Sequence, residues 1–169
     1  TTSINRFYRA REDNAEDLDE IIEAKQDDYT WLIGNPPYVR AENQDQHRID
    51  EYERLHDVFG EDQADIFTAF VEQGLAWLES GGQLAFVVSN ALLVTDPSEP
   101  AMKYIRDNAT IDLVADLTRC KIFGIDVNTF PILIVLTKRA GDDNGDVRKE
   151  NDTEVVKVYP KGSDETNEW

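Results

Sequence analysis

Residues 29–38 read Tyr-Thr-Trp-Leu-Ile-Gly-Asn-Pro-Pro-Tyr, a short apolar run that leads into a proline-rich turn. The run from Tyr29 to Gly34 has the length and composition of a buried β-strand. Asn35 and Pro36 each precede a proline, and a residue before proline is restricted to extended backbone geometry. The sequence therefore predicts a strand that ends in a stiff turn.

This turn offers hydrogen-bond acceptors and a flat aromatic ring. Because the prolines have no N–H group, the backbone presents mainly carbonyl oxygens, and the side chain of Asn35 adds an amide oxygen. Tyr38 adds a π face. Two acceptors that bind both hydrogens of an exocyclic NH₂ group favour a pyramidal nitrogen with an available lone pair. From these residues alone, a site for an amino nitrogen and a plain rigid turn are equally good interpretations.

The chain is strongly acidic along its whole length. Its 169 residues are enough for one domain with a hydrophobic core, and they include 35 acidic and 17 basic residues for a net charge of −18. The sequence has no long Lys/Arg cluster of the kind that indicates nucleic-acid binding, and an acidic surface repels DNA at ordinary salt. Most of these charges are interpreted as a solvated surface, and the composition resembles that of proteins from halophilic organisms.

The cysteine count, the histidine spacing and the hydropathy of the sequence argue against a disulfide, a zinc site and a membrane span. Cys120 is the only cysteine, which rules out an internal disulfide and fits a reducing compartment, and its position after an apolar run predicts a buried thiol. His47 and His56 lack the spacing of zinc ligands, so no metal is predicted. No segment resembles a signal peptide or a membrane span, so we expect a cytoplasmic protein without membrane contact.

Apolar periodicity predicts an α/β sheet with flanking helices. A helix from Ile66 to Leu78 is expected to stop at the glycines of residues 80–82, and the continuous apolar run after it is typical of a parallel strand. The last two central strands are joined by a short loop and are expected to be antiparallel. The other predicted elements are a helical lead-in over 1–28, a strand over 84–88, a helix over 99–108, strands over 111–117 and 130–138, and an edge strand over 154–159.

Taken together, these segments resemble the adenine-N6 DNA methyltransferases of restriction-modification systems, in which Asn-Pro-Pro-Tyr closes the fourth strand of a Rossmann-like class I methyltransferase sheet. The resemblance covers residues 29–139 and includes the segments 64–70, 81–90 and 121–129. It implies that this region is the catalytic, C-terminal half of that sheet, with strands four to seven and flanking helices. The helical lead-in over 1–28 precedes it, and an acidic linker or edge strand over 140–169 follows.

The resemblance also implies a base-flipping mechanism with S-adenosylmethionine as cofactor. The adenine would stack between Tyr38 and Phe123, and its amino group would donate hydrogen bonds to Asn35 and to the carbonyl of Pro36. Phe70 would pack near the adenine of the cofactor, with ordinary core packing as the alternative. Asp65 would bind the cofactor, with a helix N-cap as the alternative.

Two parts of the family pattern do not fit into this sequence. Only 34 residues precede Asn35, too few for the first three strands and the glycine-rich cofactor loop, and no recognition domain follows. We therefore expect a fragment, inactive alone, that binds S-adenosylmethionine weakly or not at all, depends on a missing recognition domain to bind DNA, and self-associates through an exposed sheet edge. The alternatives are a protein glutamine or ribosomal RNA amino methyltransferase, and a non-catalytic methyltransferase-like interaction domain.

Overall fold

A computed structural model of the chain describes residues 29–39, 49, 50, 53, 55–59, 65–120, 130–140 and 152–160. Five strands and three α-helices lie wholly within these residues, and residues 49, 50, 53 and 55 are also helical. The strands are β1 (Tyr29–Gly34), β2 (Leu78–Ser89), β3 (Ala109–Asp116), β4 (Pro131–Lys138) and β5 (Glu154–Lys157). The helices are α1 (Phe67–Trp77), α2 (Ala91–Val94) and α3 (Glu99–Asn108), and single 3-10 turns lie at Asp96–Ser98 and Thr118–Cys120.

The five strands form one mixed sheet in the order β1-β2-β4-β3-β5. β1 runs parallel to β2, and β3 runs parallel to β5. β4 lies between β2 and β3 and is antiparallel to both. The predicted α/β class and the predicted antiparallel pairing of the last two central strands are confirmed.

One face of the sheet carries the hydrophobic core. Side chains alternate between the two faces of a strand, so every second residue of β2 and β4 points to the same side. α1 contacts β2, α3 contacts β3, and the two helices contact each other. The buried strand residues of this core are Leu78, Leu84, Phe86, Val88, Ala109, Ile132, Ile134 and Leu136.

The boundary between α1 and β2 differs from the prediction. α1 ends at Trp77 and β2 begins at Leu78, so the expectation that residues 80–82 stop the helix is wrong. The ammonium group of Lys138, on β4, donates hydrogen bonds to the carbonyl oxygens of Ala76 at 3.3 Å and Leu78 at 2.6 Å. A cation that binds the last carbonyls of a helix stabilises its C-terminus. This contact with β4 lies where α1 ends, before the glycines at which the sequence predicted its end.

The glycines instead produce an irregularity inside β2. The register of β1 against β2 shifts between Tyr29 and Trp31, next to the Gly81 and Gly82 pair. Gly81 has a φ of 81°, a left-handed conformation that favours glycine. A Cβ atom on Gly82 would lie 3.0 Å from the carbonyl oxygen of Tyr29, so the two strands approach too closely there for a side chain.

The remaining elements lie close to their predicted positions. β1 and α3 have the predicted bounds, whereas β3 begins two residues earlier than predicted and β4 begins at Pro131. A strand is present within the predicted segment 154–159. Cys120 is only half-buried, so the expected buried thiol is wrong. Residues 1–28 lie outside the described part of the chain, and the proposed division into three regions stays a prediction.

Candidate functional site at one edge of the sheet

The strands β1, β2 and β3 end, and β4 begins, at the same edge of the sheet. β1 and β2 are parallel and therefore end at the same edge, and the antiparallel β4 begins there. The backbone N–H of Asn90, just after β2, donates a 2.8 Å hydrogen bond to the carbonyl oxygen of Phe130, just before β4. Ligands of open α/β sheets bind outside the carboxyl ends of the strands. This edge, which carries residues 35–38, is the candidate site.

The turn after β1 combines a buried anchor with an exposed amide. Pro36 is buried, whereas Asn35 and Pro37 are exposed. Gly34, the last residue of the strand, packs closely on the core, because a Cβ atom there would lie 3.0 Å from the ring of Phe86. The packed Gly34 and the buried Pro36 therefore hold the backbone before and after Asn35. The exposed side chain of Asn35 is accessible to a ligand.

Tyr38 presents a neutral ring at this edge. Its side chain is half-buried, its hydroxyl oxygen is inaccessible to solvent, and burial raises the pKa of Tyr38 to about 12. Burial disfavours the charged phenolate, so the hydroxyl keeps its proton well into the alkaline range. A group of this kind is suited to stacking and is a poor general base.

The end of the turn is joined to the start of α1. The backbone N–H of Ile66 donates a 3.2 Å hydrogen bond to the carbonyl oxygen of Val39, and Val39 packs against the core. This bond brings the segment after Tyr38 beside Asp65 and the first turn of α1. The candidate site is thereby connected to Asp65 and Phe70, the residues that the family resemblance predicts to bind the cofactor.

Phe70 and Asp65 have different surroundings. Phe70 lies in the core and is 7% exposed. The carbonyl oxygen of Asp65 accepts hydrogen bonds from the N–H of Thr68 at 3.0 Å and from its hydroxyl at 2.7 Å. α1 begins after Ile66 without a side-chain cap, so the N-cap interpretation of Asp65 is wrong. Cofactor binding by Phe70 and Asp65 stays a prediction.

Phe123 lies outside the described residues. The two described flanks of its loop meet at the candidate edge, because the N–H of Leu117 donates a 3.0 Å hydrogen bond to the carbonyl oxygen of Pro131. Stacking by Phe123 stays a prediction.

Sequence reasoning did not single out three residues at the same edge. Asn90 is partly exposed, and Phe130 is 52% exposed. Asp116, the last residue of β3, stays charged because hydrogen bonds from the hydroxyl and the N–H of Thr118 hold its pKa below the ordinary value. All three directly flank strand ends, and that position was the available signal. Within the described segments, no group of His, Cys, Asp or Glu side chains is placed to bind a metal ion, and no helix is long and apolar enough to cross a membrane.

Comparison with protein families gives a match over most of the chain. The family model for the Eco57I restriction-modification methylase matches residues 2–123. Among curated proteins, the chain is 26% identical over 113 residues to the type II methyltransferase M.PaeR7I of Pseudomonas aeruginosa. The aligned region covers 67% of this chain and 20% of that protein. The chain thus spans about a fifth of the length of such relatives.

Solved structures share the fold. A protein from Listeria monocytogenes, described as a class I S-adenosylmethionine-dependent methyltransferase, superposes with a TM-score of 0.62 at 17% identity. The superposition covers 81% of this chain and 39% of that chain. The restriction-modification enzyme LlaGI, solved in complex with a DNA substrate mimic, gives a TM-score of 0.56 at 17% identity, with coverage of 86% of this chain and 16% of that chain. The chain thus has a class I methyltransferase fold.

Proposed function

This chain belongs to the Eco57I restriction-modification methylase family, and from that premise we propose that it forms the adenine-binding half of a DNA adenine-N6 methyltransferase. The observation that carries the proposal is the turn after β1. Its exposed Asn35 amide stands on a backbone fixed by the buried Pro36, at the carboxyl edge of a class I methyltransferase sheet. This position suits a planar amino group that approaches from outside the sheet.

Asn35 and Pro36 bind the two hydrogens of the adenine amino group in this mechanism. The amide oxygen of Asn35 accepts one hydrogen bond, and the carbonyl oxygen of Pro36 accepts the other. Both acceptors favour a nitrogen whose lone pair is localised and points away from the turn. N6 would be the nucleophile for the methyl group that S-adenosylmethionine supplies, with S-adenosylhomocysteine as the leaving group and water as the acceptor of the surplus N6 proton. No side chain forms a covalent bond.

Tyr38 holds the flipped base by stacking. Like any tyrosine it is neutral at pH 7, and a stacked base contributes about 1–3 kcal/mol, which offsets part of the cost of unstacking. Phe123 covers the opposite face of the base from the loop that is anchored by Leu117 and Pro131. The two rings fix the base while Asn35 orients its amino group.

The cofactor site is only partly present in this chain. Phe70 and Asp65 lie at the start of α1, which a hydrogen bond between Ile66 and Val39 joins to the turn, and this position supports a place for them beside the adenine of S-adenosylmethionine. The burial of Phe70, 7% exposed, fits core packing as well. Bound S-adenosylmethionine supplies an electrophilic methyl group. The chain spans about a fifth of the length of relatives such as M.PaeR7I, and we therefore expect it to bind the cofactor weakly or not at all when isolated. Calorimetric titration that gives a micromolar dissociation constant would contradict this.

DNA contact also depends on polypeptide outside this chain. A net charge of −18 disfavours contact with phosphates, and the charge density supports an origin in a halophilic organism. LlaGI, which shares the fold, was solved with a DNA substrate mimic, and this supports a DNA substrate. We infer that a recognition domain brings the DNA to the edge that carries Asn35.

Two substitutions at Asn35 test the proposal in the full-length gene product. Asn35→Ala should abolish N6-methyladenine in DNA, as measured by mass spectrometry of digested nucleosides, because one acceptor is lost. Asn35→Asp should keep part of the activity, because a carboxylate still accepts the hydrogen bond. Thermal unfolding should be unchanged in both, since the side chain is exposed. Full methylation by Asn35→Ala would refute the role of Asn35, and methylation of protein glutamine or ribosomal RNA in place of DNA would refute the substrate.

A further inference from the structure

Arg119 differs from most cations in the described part of the chain. Its Cζ atom lies 5.2 Å from the centroid of the Tyr159 ring, within the roughly 6 Å range of a cation–π interaction. Among the described residues its guanidinium has no hydrogen-bond or ion-pair partner. Hydrogen bonds or ion pairs are made by the charged groups of Lys103, Arg106, Lys138 and Arg139.

The guanidinium of Arg119 is thus able to bind an anion. Its five N–H donors lie in one plane, so contact between its central carbon and an aromatic ring leaves these donors available. A planar fork of this kind binds two oxygens of a phosphate or a carboxylate at once. Arg119 is exposed, so such an anion can approach it from solvent.

Hydrogen bonds hold the segment that carries Arg119 against the segment that carries Tyr159. The backbone N–H of Val158 donates a 3.0 Å hydrogen bond to the carbonyl oxygen of Asp116. The thiol of Cys120 donates a 3.5 Å hydrogen bond to the carbonyl oxygen of Val158. The contact between guanidinium and ring therefore stands on two backbone segments that are fixed to each other.

The charge around Arg119 also differs from that of the whole chain, which has 35 acidic and 17 basic residues. The described segments 116–120 and 157–160 contain two cations, Arg119 and Lys157, and one carboxylate, that of Asp116. Hydrogen bonds from Thr118 lower the pKa of Asp116, and the charges of Lys157 and Arg119 lower it further. Segments 117–121 and 157–161 of the sequence contain no acidic residue, and their basic residues are Arg119, Lys121, Lys157 and Lys161.

Arg119 lies at the edge of the sheet that carries the candidate site. It follows the end of β3, and β3 and the parallel β5 end at the same edge as β1. β3 and β5 are three and four places from β1 in the sheet, which is about 14–19 Å at the usual spacing of strands. One strand of DNA has a phosphate about every 3.4 Å along the helix axis, so this distance spans about four to six nucleotides.

We propose that Arg119, supported by the ring of Tyr159, binds a backbone phosphate of the DNA a few nucleotides from the target adenine. This inference rests on the proposed function, because it takes DNA as the substrate and places the target base at Asn35. A phosphate contact fixes the position of the DNA and reads no base, so Arg119 positions the substrate without selecting its sequence.

The salt dependence of DNA binding by the full-length gene product tests this contact. Each phosphate contact makes the association constant fall with about the 0.9 power of the salt concentration. Arg119→Gln should therefore raise the Kd for a fluorescein-labelled duplex of mixed sequence about eightfold at 0.1 M KCl and only about twofold at 0.4 M KCl, as measured by fluorescence anisotropy. Arg119→Lys should keep most of the salt dependence, because the charge remains. In methylation assays Arg119→Gln should raise the KM for DNA and leave kcat unchanged.

Lys103→Gln is the matched control, because it removes a positive charge from a side chain that is 73% exposed in the middle of α3. It should leave the salt dependence unchanged. Tyr159→Leu should weaken binding less than Arg119→Gln does, since the charge stays and only its support is lost. Thermal unfolding of all these variants should match that of the parent protein.

Several outcomes would overturn the proposal. One is an unchanged salt dependence in Arg119→Gln, and another is an equal change in Lys103→Gln. A third is a lower unfolding temperature of Arg119→Gln with unchanged DNA binding, which would indicate that Arg119 contacts an acidic segment of the same protein. Anisotropy does not require methyl transfer, so a parent protein that binds DNA through Arg119 without forming N6-methyladenine would refute the proposed function and support this contact.

Discussion

At the scale of single residues, the carboxylate of Glu72 is the main polar link between α1 and the segment that follows the candidate turn. Its two oxygens accept hydrogen bonds from the N–H groups of Asp57 at 3.3 Å and Val58 at 3.2 Å. The Nδ1 atom of His56 lies 3.6 Å from the carboxylate, and Val58 and Phe59 are buried in the core. One side chain of α1 thus fixes the backbone of residues 56–59.

Removal of this carboxylate should destabilise the chain. We expect Glu72→Ala to lower the free energy of unfolding by about 2 kcal/mol, because two backbone donors lose a charged acceptor. Glu72→Gln should cost about half as much, since its amide keeps one acceptor oxygen. Urea unfolding followed by tryptophan fluorescence measures both. Glu53→Ala removes an equal charge from an exposed helical position and should have little effect. Equal losses for the Glu53 and Glu72 variants would show that charge alone is responsible.

The hydroxyl of Tyr104 gives a prediction for alkaline pH. Burial, and then the charges of Glu72 and Asp57, raise the pKa of Tyr104 to about 12. The unfolded chain loses this proton near pH 10, before the folded chain does, so the free energy of unfolding falls as the pH rises from about 10 to about 12. Below that range both states are protonated and the contribution is fully present. Tyr104→Phe should make this decline shallower in urea unfolding at pH 9 and pH 11.5. A decline as steep as that of the parent chain would contradict the assignment.

The position of a candidate site residue in the fold was predictable only where it follows from the backbone next to that residue. Asn35 and Tyr38 follow a strand and flank two prolines, and those local features fixed their place at the sheet edge. The N-cap interpretation of Asp65 failed because α1 begins one residue later, after the hydrogen bond between Ile66 and Val39. That bond joins residues far apart in sequence, so no local pattern indicates it.

At the scale of secondary structure elements, the glycine pair in β2 sets the contact between β1 and β2. A Cβ atom on Gly82 would lie 2.9 Å from the carbonyl oxygen of Glu79 and 3.0 Å from that of Tyr29. Both contacts involve backbone, which yields less easily than a side chain. The two glycines therefore have separate roles, with Gly82 allowing close approach and Gly81 adopting the left-handed backbone.

Substitutions at the two glycines should separate these roles. Gly82→Ala should destabilise the chain by about 2 kcal/mol, because β1 must move away from β2. Gly81→Ala should cost about 1 kcal/mol, since only its backbone conformation is strained and the space around it is open. Gly81→Asn should recover part of that loss, because asparagine tolerates the left-handed region. Thermal unfolding of the three variants tests the ranking. A larger loss in Gly81→Ala than in Gly82→Ala would show that backbone conformation matters more at this junction than close approach of the strands.

The elements also show why some boundaries follow from sequence and others do not. The bounds of α3 were predicted because its apolar period and the polar residues at its ends are local. The end of α1 was not, because Lys138 binds the last carbonyls of the helix from a strand sixty residues further along the chain. In the same way, the glycines after α1 match the pattern of a helix stop, but they accommodate the backbone of Tyr29. Tertiary contacts override local preference at such junctions.

At the scale of the whole molecule, the hydrophobic core and the acidic surface have opposite effects on stability. The core is a single cluster that joins both long helices to β2 and β4. The surface carries a net charge of −18, and like charges on a compact body repel one another. The folded state therefore depends on screening of this repulsion more than a neutral domain of the same size would.

Added salt should consequently stabilise the chain. Between 0.1 M and 1 M KCl the Debye length shrinks from about 10 Å to about 3 Å, which removes most of the repulsion between exposed charges. A gain of about 3 kcal/mol in the free energy of unfolding corresponds to a rise in Tm of about 9 °C for a domain of this size. Differential scanning calorimetry in KCl, with an uncharged osmolyte at the same osmolality as the control, separates screening from general solute exclusion. Equal stabilisation by the osmolyte, or a Tm that falls with KCl, would show that surface repulsion does not limit stability.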